Sequence, residues 1–166
     1  MKVYDLRKDK EWVRRVQQAS IHAKEHALTN EHGLFGSKRW WGAVENGKIE
    51  KRTAEGVIER IYGDESCGMF PEFEISSNEG KRSFVCKWDR MFCEDFIRSR
   101  KAGYYEVGKR AKVVYSIMKR RRPMAIDDGR GGVDYMSENR QILEIWIEGE
   151  AGSPSREMLE YLKRFL

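Results

Sequence analysis

The chain has 166 residues, 40% apolar and 36% charged, with a formal net charge of +5. That length favours one domain with a real core, and the 11% aromatic content excludes general disorder. Three cysteines, Cys67, Cys86 and Cys93, with no C-x-x-C among them, exclude a secreted disulfide framework.

Met1 to Lys10 is charged and lacks the apolar run of a signal peptide. No stretch is long and apolar enough to span a bilayer. A reducing cytoplasm is the expected place, with no membrane partner. The basic excess permits an anionic partner without demanding one.

A first helix is expected from about Asp9 to Thr29. Asp9 can cap it, because a carboxylate accepts the free amide hydrogens of the first turn. Trp12, Val16, Ala19, Ala23 and Ala27 recur at three- and four-residue steps, which makes one apolar stripe. Trp12, Val16 and Ala23 are expected to dock this helix on the rest of the protein. Gly33 and Gly36 stop it. A second, short helix fits between Ser37, a good cap, and Gly47, a good stop. It carries Trp40 and Trp41, which point in different directions. They form either a packed apolar corner or an aromatic platform for a partner.

Five strands follow: Gly56–Tyr62, Phe70–Ser76, Arg82–Trp88, Arg110–Lys119 and Gln141–Glu148. A helix from Arg90 to Lys101 falls between the third and fourth. Phe73 and Ile75 alternate with Glu72 and Glu74, and Phe84, Cys86 and Trp88 share a face. The expected core is Phe73, Ile75, Phe84, Trp88, Val113, Ile117, Leu143 and Ile145. Lys119 to Pro123 is expected to end the fourth strand and open a long glycine-rich connection, Pro123 to Asn139. Such a connection in a compact domain is usually functional or disordered. Ser153-Pro154 opens a last helix.

This order of elements resembles the OB-fold, a small five-stranded β-barrel with a helix between strands 3 and 4. The expected class is therefore mainly β, an OB-like barrel with N-terminal and C-terminal helices. Residues 1–50 make a helical arm packed on the barrel, 51–150 the barrel and 151–166 the final helix, as one compact unit.

No catalytic constellation emerges. His22 and His26 are four apart on a helix, but a zinc site needs further ligands that this stretch does not supply, so no metal is expected. The cysteines have no histidine near them in sequence to activate a thiol. Glu72/Glu74 belong to a solvent face, and Asp127/Asp128 to a turn beside arginines. Nucleophile-elbow, phosphate-loop, dinucleotide and zincin signatures are missing. The expected protein is a binding module, not an enzyme, with no small-molecule cofactor.

The densest signal is basic. Lys119, Arg120, Arg121 and Arg122 are consecutive, Arg130 follows, and Arg110 opens the same strand. The OB resemblance implies that the connection between strands four and five contacts ligand, so these six residues would hold the phosphates of single-stranded DNA or RNA. Glu72 and Glu74, outward on strand two, count against it. The alternative is a protein–protein interaction or scaffolding module that docks through Trp40 and Trp41 or a terminal helix.

Overall fold

The computed structural model describes residues 1–23, 27–63, 71–87, 100–127 and 132–154, together with 156, 158 and 159. The elements are β1 (Lys2–Asp5), α1 (Lys10–His22), α2 (Lys38–Glu45), β2 (Lys51–Gly63), β3 (Pro71–Ser77), β4 (Gly80–Val85), β5 (Arg110–Asp127) and β6 (Val133–Ile147). A 3-10 turn, Arg100–Tyr104, precedes β5. The expected helix from Arg90 falls largely outside the described residues, as do Trp88, Arg130, Cys67 and Cys93.

The mainly β class stands, but the barrel does not. Six antiparallel strands form one open sheet in the order β1-β6-β5-β2-β3-β4. The physical reason lies in a strand the sequence reading missed. β1 pairs with β6, with Tyr4 opposite Ile145 and Asp5 opposite Glu144. It occupies the β6 edge that a five-stranded barrel would need for closure.

The chain divides into two compact units, Met1–Asp5 with Thr53–Val113 and Glu144–Leu166, and Leu6–Arg52 with Val114–Leu143. In the first unit, β2, β3 and β4 form an antiparallel meander. Phe73 lies directly opposite Phe84, and their rings are 6.0 Å apart. Phe73, Ile75, Phe84, Val113 and Ile145 are buried as their alternation requires. A register shift between Ile58 and Arg60 inserts a bulge into β2. It lets Ile58 and Ile61 both turn inward although they are three residues apart. The bulge lies just beyond Gly56, which has a different task. A Cβ there would sit 2.0 Å from the Ser76 carbonyl oxygen. Only glycine admits that approach of two strands.

The Tyr105 ring packs 5.1 Å from Phe73. Its hydroxyl accepts the Lys87 amide hydrogen at 2.9 Å and donates to the Lys87 carbonyl. Burial pushes both the Tyr105 hydroxyl and the neighbouring Cys86 thiol well above their ordinary pKa values. Cys86 behaves as a small apolar group there.

In the second unit, Asp9 caps α1 by accepting the Trp12 amide hydrogen at 3.0 Å. The helix ends at His22, seven residues before the expected Thr29, and Ala23 is already extended. Helix propensity loses to tertiary hydrogen bonding: the Leu28 amide donates to Ser20 Oγ, and Leu28 bridges to Arg120 of β5. Ser20, absent from the expected stripe, is the buried position of α1, while Trp12, Val16 and Ala23 are half-buried. Trp12 nevertheless docks, its indole N–H donating to Gln141 at 3.3 Å.

α2 forms as expected, with Ser37 accepting from the Trp40 amide and Gly47 in the left-handed region at φ 71°. Ile117, expected in the core, is half-buried. Ala111, Val113 and Tyr115 point inward, and then Ser116 and Met118 do. The inward face of β5 shifts by one residue between Tyr115 and Ser116, so strict alternation assigns Ile117 to the wrong side.

Candidate protein-binding surface

The basic run does not end β5. The strand continues to Asp127, and β6 begins at Val133, so most of the expected Pro123–Asn139 loop is strand. The edge of β5 in the second unit is covered in stages. The Ile117 amide donates to Glu50 O at 3.0 Å, and the Arg121 amide to Ala27 O at 2.9 Å. The Lys119 carbonyl accepts from Thr29. Odd-numbered residues thus present their amide hydrogens to this edge, and the next is Pro123. Proline has no amide hydrogen, so the edge loses its donor where its cover ends.

Beyond this point burial changes character. From Arg110 to Met118 buried and exposed positions are mixed, as in a sheet with a core face. From Lys119 to Ala125 and from Gly132 to Arg140 no described side chain is buried. These distal parts of β5 and β6 form an arm open on both faces. Val133, Tyr135 and Met136 are 63%, 67% and 38% exposed on it. A two-stranded ribbon is at best marginally stable alone in water, and these exposed apolar groups make the arm the candidate surface for a partner.

The arm is also basic. Lys119 and Arg121 lie on one face of β5, and Arg120 and Arg122 on the other, by the two-residue period of a strand. Arg140 is exposed on β6. Among the described residues, Lys119, Arg121, Arg122 and Arg140 form no ion pair. Elsewhere in the same unit three arginines are matched, Arg7 with Glu45 at 2.6 Å, Arg15 with Glu11 at 3.2 Å and Arg52 with Glu50 at 2.6 Å, while Arg39 donates to the Glu31 carbonyl at 3.3 Å. Arg120 is half-buried, and its Nε is buried without a hydrogen-bond partner among the described residues. Burial lowers its pKa, though a guanidinium remains charged.

Of the six basic residues, Arg130 lies outside the described residues. Arg110 belongs to the first unit, where it lines a groove of about 490 Å³ with Gly56, Ser76 and Arg82. The four consecutive cations divide between two faces of the arm. Trp40 is fully buried, 4.8 Å from Phe35, with its indole N–H directed at Met118 Sδ at 3.4 Å. It is core and offers nothing to a partner. Trp41 is half-buried, and the Arg7 guanidinium lies 3.9 Å above its ring. Val133, Tyr135 and Met136 escaped the sequence reading. Their signal was Val133 and Tyr135 two apart after Gly131-Gly132, a strand following a turn.

Among the described residues no group of His, Cys, Asp and Glu could hold a metal ion, and no helix is long and apolar enough to cross a membrane. The chain matches the family model described as Immunity protein RhsI2 over residues 1–148, and it belongs to that family. No curated protein matches it. The family assignment overturns the nucleic-acid reading. An immunity protein acts by binding a protein, which is the alternative the sequence had left open. The OB resemblance misled because it tied the basic run to phosphates by fold-level analogy, whereas the described strands form an open sheet.

Proposed function

We propose that this protein is the immunity partner of an Rhs toxin and neutralises it by direct binding through the β5–β6 arm. The family match over residues 1–148, which contain the whole arm, carries the reading. The exposed Tyr135, Val133 and Met136 support the choice of surface, since aromatic anchors beside arginine dominate protein interfaces. Binding of this kind is stoichiometric and requires no catalytic group or cofactor.

The test is growth of bacterial cells producing the cognate Rhs toxin with either the wild-type protein or a Tyr135→Glu variant. Wild type should restore growth and Tyr135→Glu should not, at equal protein levels. Failure of wild type to protect would reject the function. Full protection by Tyr135→Glu, together with Val133→Glu, would move the interface away from the arm.

A further inference from the structure

We infer that the arm enters a cleft of the toxin whose walls are acidic, so that both faces of the ribbon are gripped at once. This rests on the reading of the protein as an Rhs immunity protein. Two observations carry it.

The first is the exposure of both faces. A strand that lies on a flat partner needs only one open face, and its other face packs on its own core. Here Arg121 and Arg122 are consecutive in β5, hence on opposite faces, and both are exposed. Tyr135 and Met136 stand in the same relation in β6. A single partner can cover both members of each pair only if it is concave.

The second is charge. Among described side chains the arm presents Lys119, Arg120, Arg121, Arg122 and Arg140 against Glu138 alone. By sequence, Asp127 and Asp134 lie further along the two strands than these cations. Four cations close in sequence repel one another, and the described structure supplies carboxylates to other arginines but not to Lys119, Arg121, Arg122 or Arg140. Carboxylates on the cleft walls would relieve that repulsion. Guanidinium groups suit this, because each can meet a carboxylate with two parallel hydrogen bonds. Pro123 fits the same picture. It withholds the edge from strand pairing, so recognition falls to side chains.

The experiment measures binding of the full-length protein to the purified cognate Rhs toxin, made harmless by a substitution in its own catalytic residue, by biolayer interferometry across a salt series. Three charge reversals are compared: Lys119→Glu with Arg121→Glu on one face, Arg122→Glu on the other, and Lys48→Glu as an exposed control off the arm. Arg121→Gln and Arg122→Gln stand in for any reversal that lowers the melting temperature. Each face should matter separately, with binding weakened roughly tenfold or more, the usual effect of removing one partner of an interfacial charge pair. Lys48→Glu should bind as wild type, and wild-type affinity should fall as salt rises.

Loss on one face only would overturn the cleft, because a flat contact explains it. Wild-type affinity in every arm variant, while wild type binds, would overturn the arm and the acidic walls together and leave the immunity function standing. No binding by wild type would overturn both readings. Arm-dependent self-association of the protein, seen by light scattering and unaffected by toxin, would assign the arm to a second copy of this chain and overturn the proposal.

Discussion

The Arg121 amide hydrogen is held by the carbonyl oxygen of Ala27 at 2.9 Å, and two residues later Pro123 takes the position of the next donor on that edge. The pairing with Ala27–Thr29 and the proline together close an edge of β5 that would otherwise invite another strand. Pro123→Thr restores the donor to a residue of high strand propensity. The variant should self-associate more than wild type at high concentration, in light scattering after size exclusion, with little change in melting temperature. Unchanged mass across the concentration series would show that the proline does not guard the edge.

Tyr105 and Lys87 make a second close relationship. One hydroxyl serves both the amide and the carbonyl of a buried residue. Tyr105→Phe keeps the ring against Phe73 and removes only the oxygen. Both main-chain groups of Lys87 would then be buried without that partner, which costs about 1–3 kcal/mol. Urea unfolding should show a lower midpoint with an unchanged slope. A midpoint equal to wild type would mean that water replaces the hydroxyl at no cost.

Gly56→Ala tests the strand approach at Ser76. The new methyl would stand 2.0 Å from a carbonyl oxygen on the main chain, which cannot rotate away as a side chain can. Separating the strands there disturbs the pairing of Val57 with Ser76. Destabilisation of at least about 1–3 kcal/mol is expected, as for overpacking in a core. Gly47→Ala is the informative comparison, since its Cβ would meet nothing within 4 Å and only its positive φ opposes it. Equal losses at the two sites would make backbone strain, not the Ser76 contact, the cause at Gly56.

Glu144 gives a pH prediction. Burial pushes its pKa up, but hydrogen bonds from Lys2 at 2.7 Å and the Trp146 indole at 2.9 Å outweigh that and hold it below the ordinary value of about 4.5. The unfolded chain then binds a proton at this site more readily than the folded one. The ionised group's stabilisation is complete above the ordinary value and disappears as pH falls through the folded one. Glu144→Gln should remove that part of the acid-side loss of stability, worth less than about 1 kcal/mol for a partly exposed pair. Thermal melts of both proteins between neutral pH and pH 3 measure it. Curves of identical shape would show that the Lys2–Glu144 pair contributes nothing.

Local chemistry let the sequence specify much of this protein by itself. Asp9 and Ser37 read as caps because a side-chain oxygen three residues before a free amide is a local fact. Phe73, Ile75, Phe84, Val113 and Ile145 read as core because a two-residue period survives folding wherever the register is regular. The tertiary structure alone decided the rest, and in each case the deciding partner is remote in the chain. Lys2–Asp5 is too short to announce a strand, and becomes one only against β6, so the open sheet could not be told from a barrel. The inward face shifts where two adjacent residues, Tyr115 and Ser116, are both buried, which no alternation foretells. The basic run looked like the end of a strand because its charges repel. It continues as strand because Ala27–Thr29, far earlier in the chain, supplies hydrogen bonds to its edge. Trp40 was an aromatic candidate in the sequence, and Tyr135 was passed over. Packing against Phe35 and Met118 buried the first, and the absence of any core beside the arm left the second exposed, among the described residues.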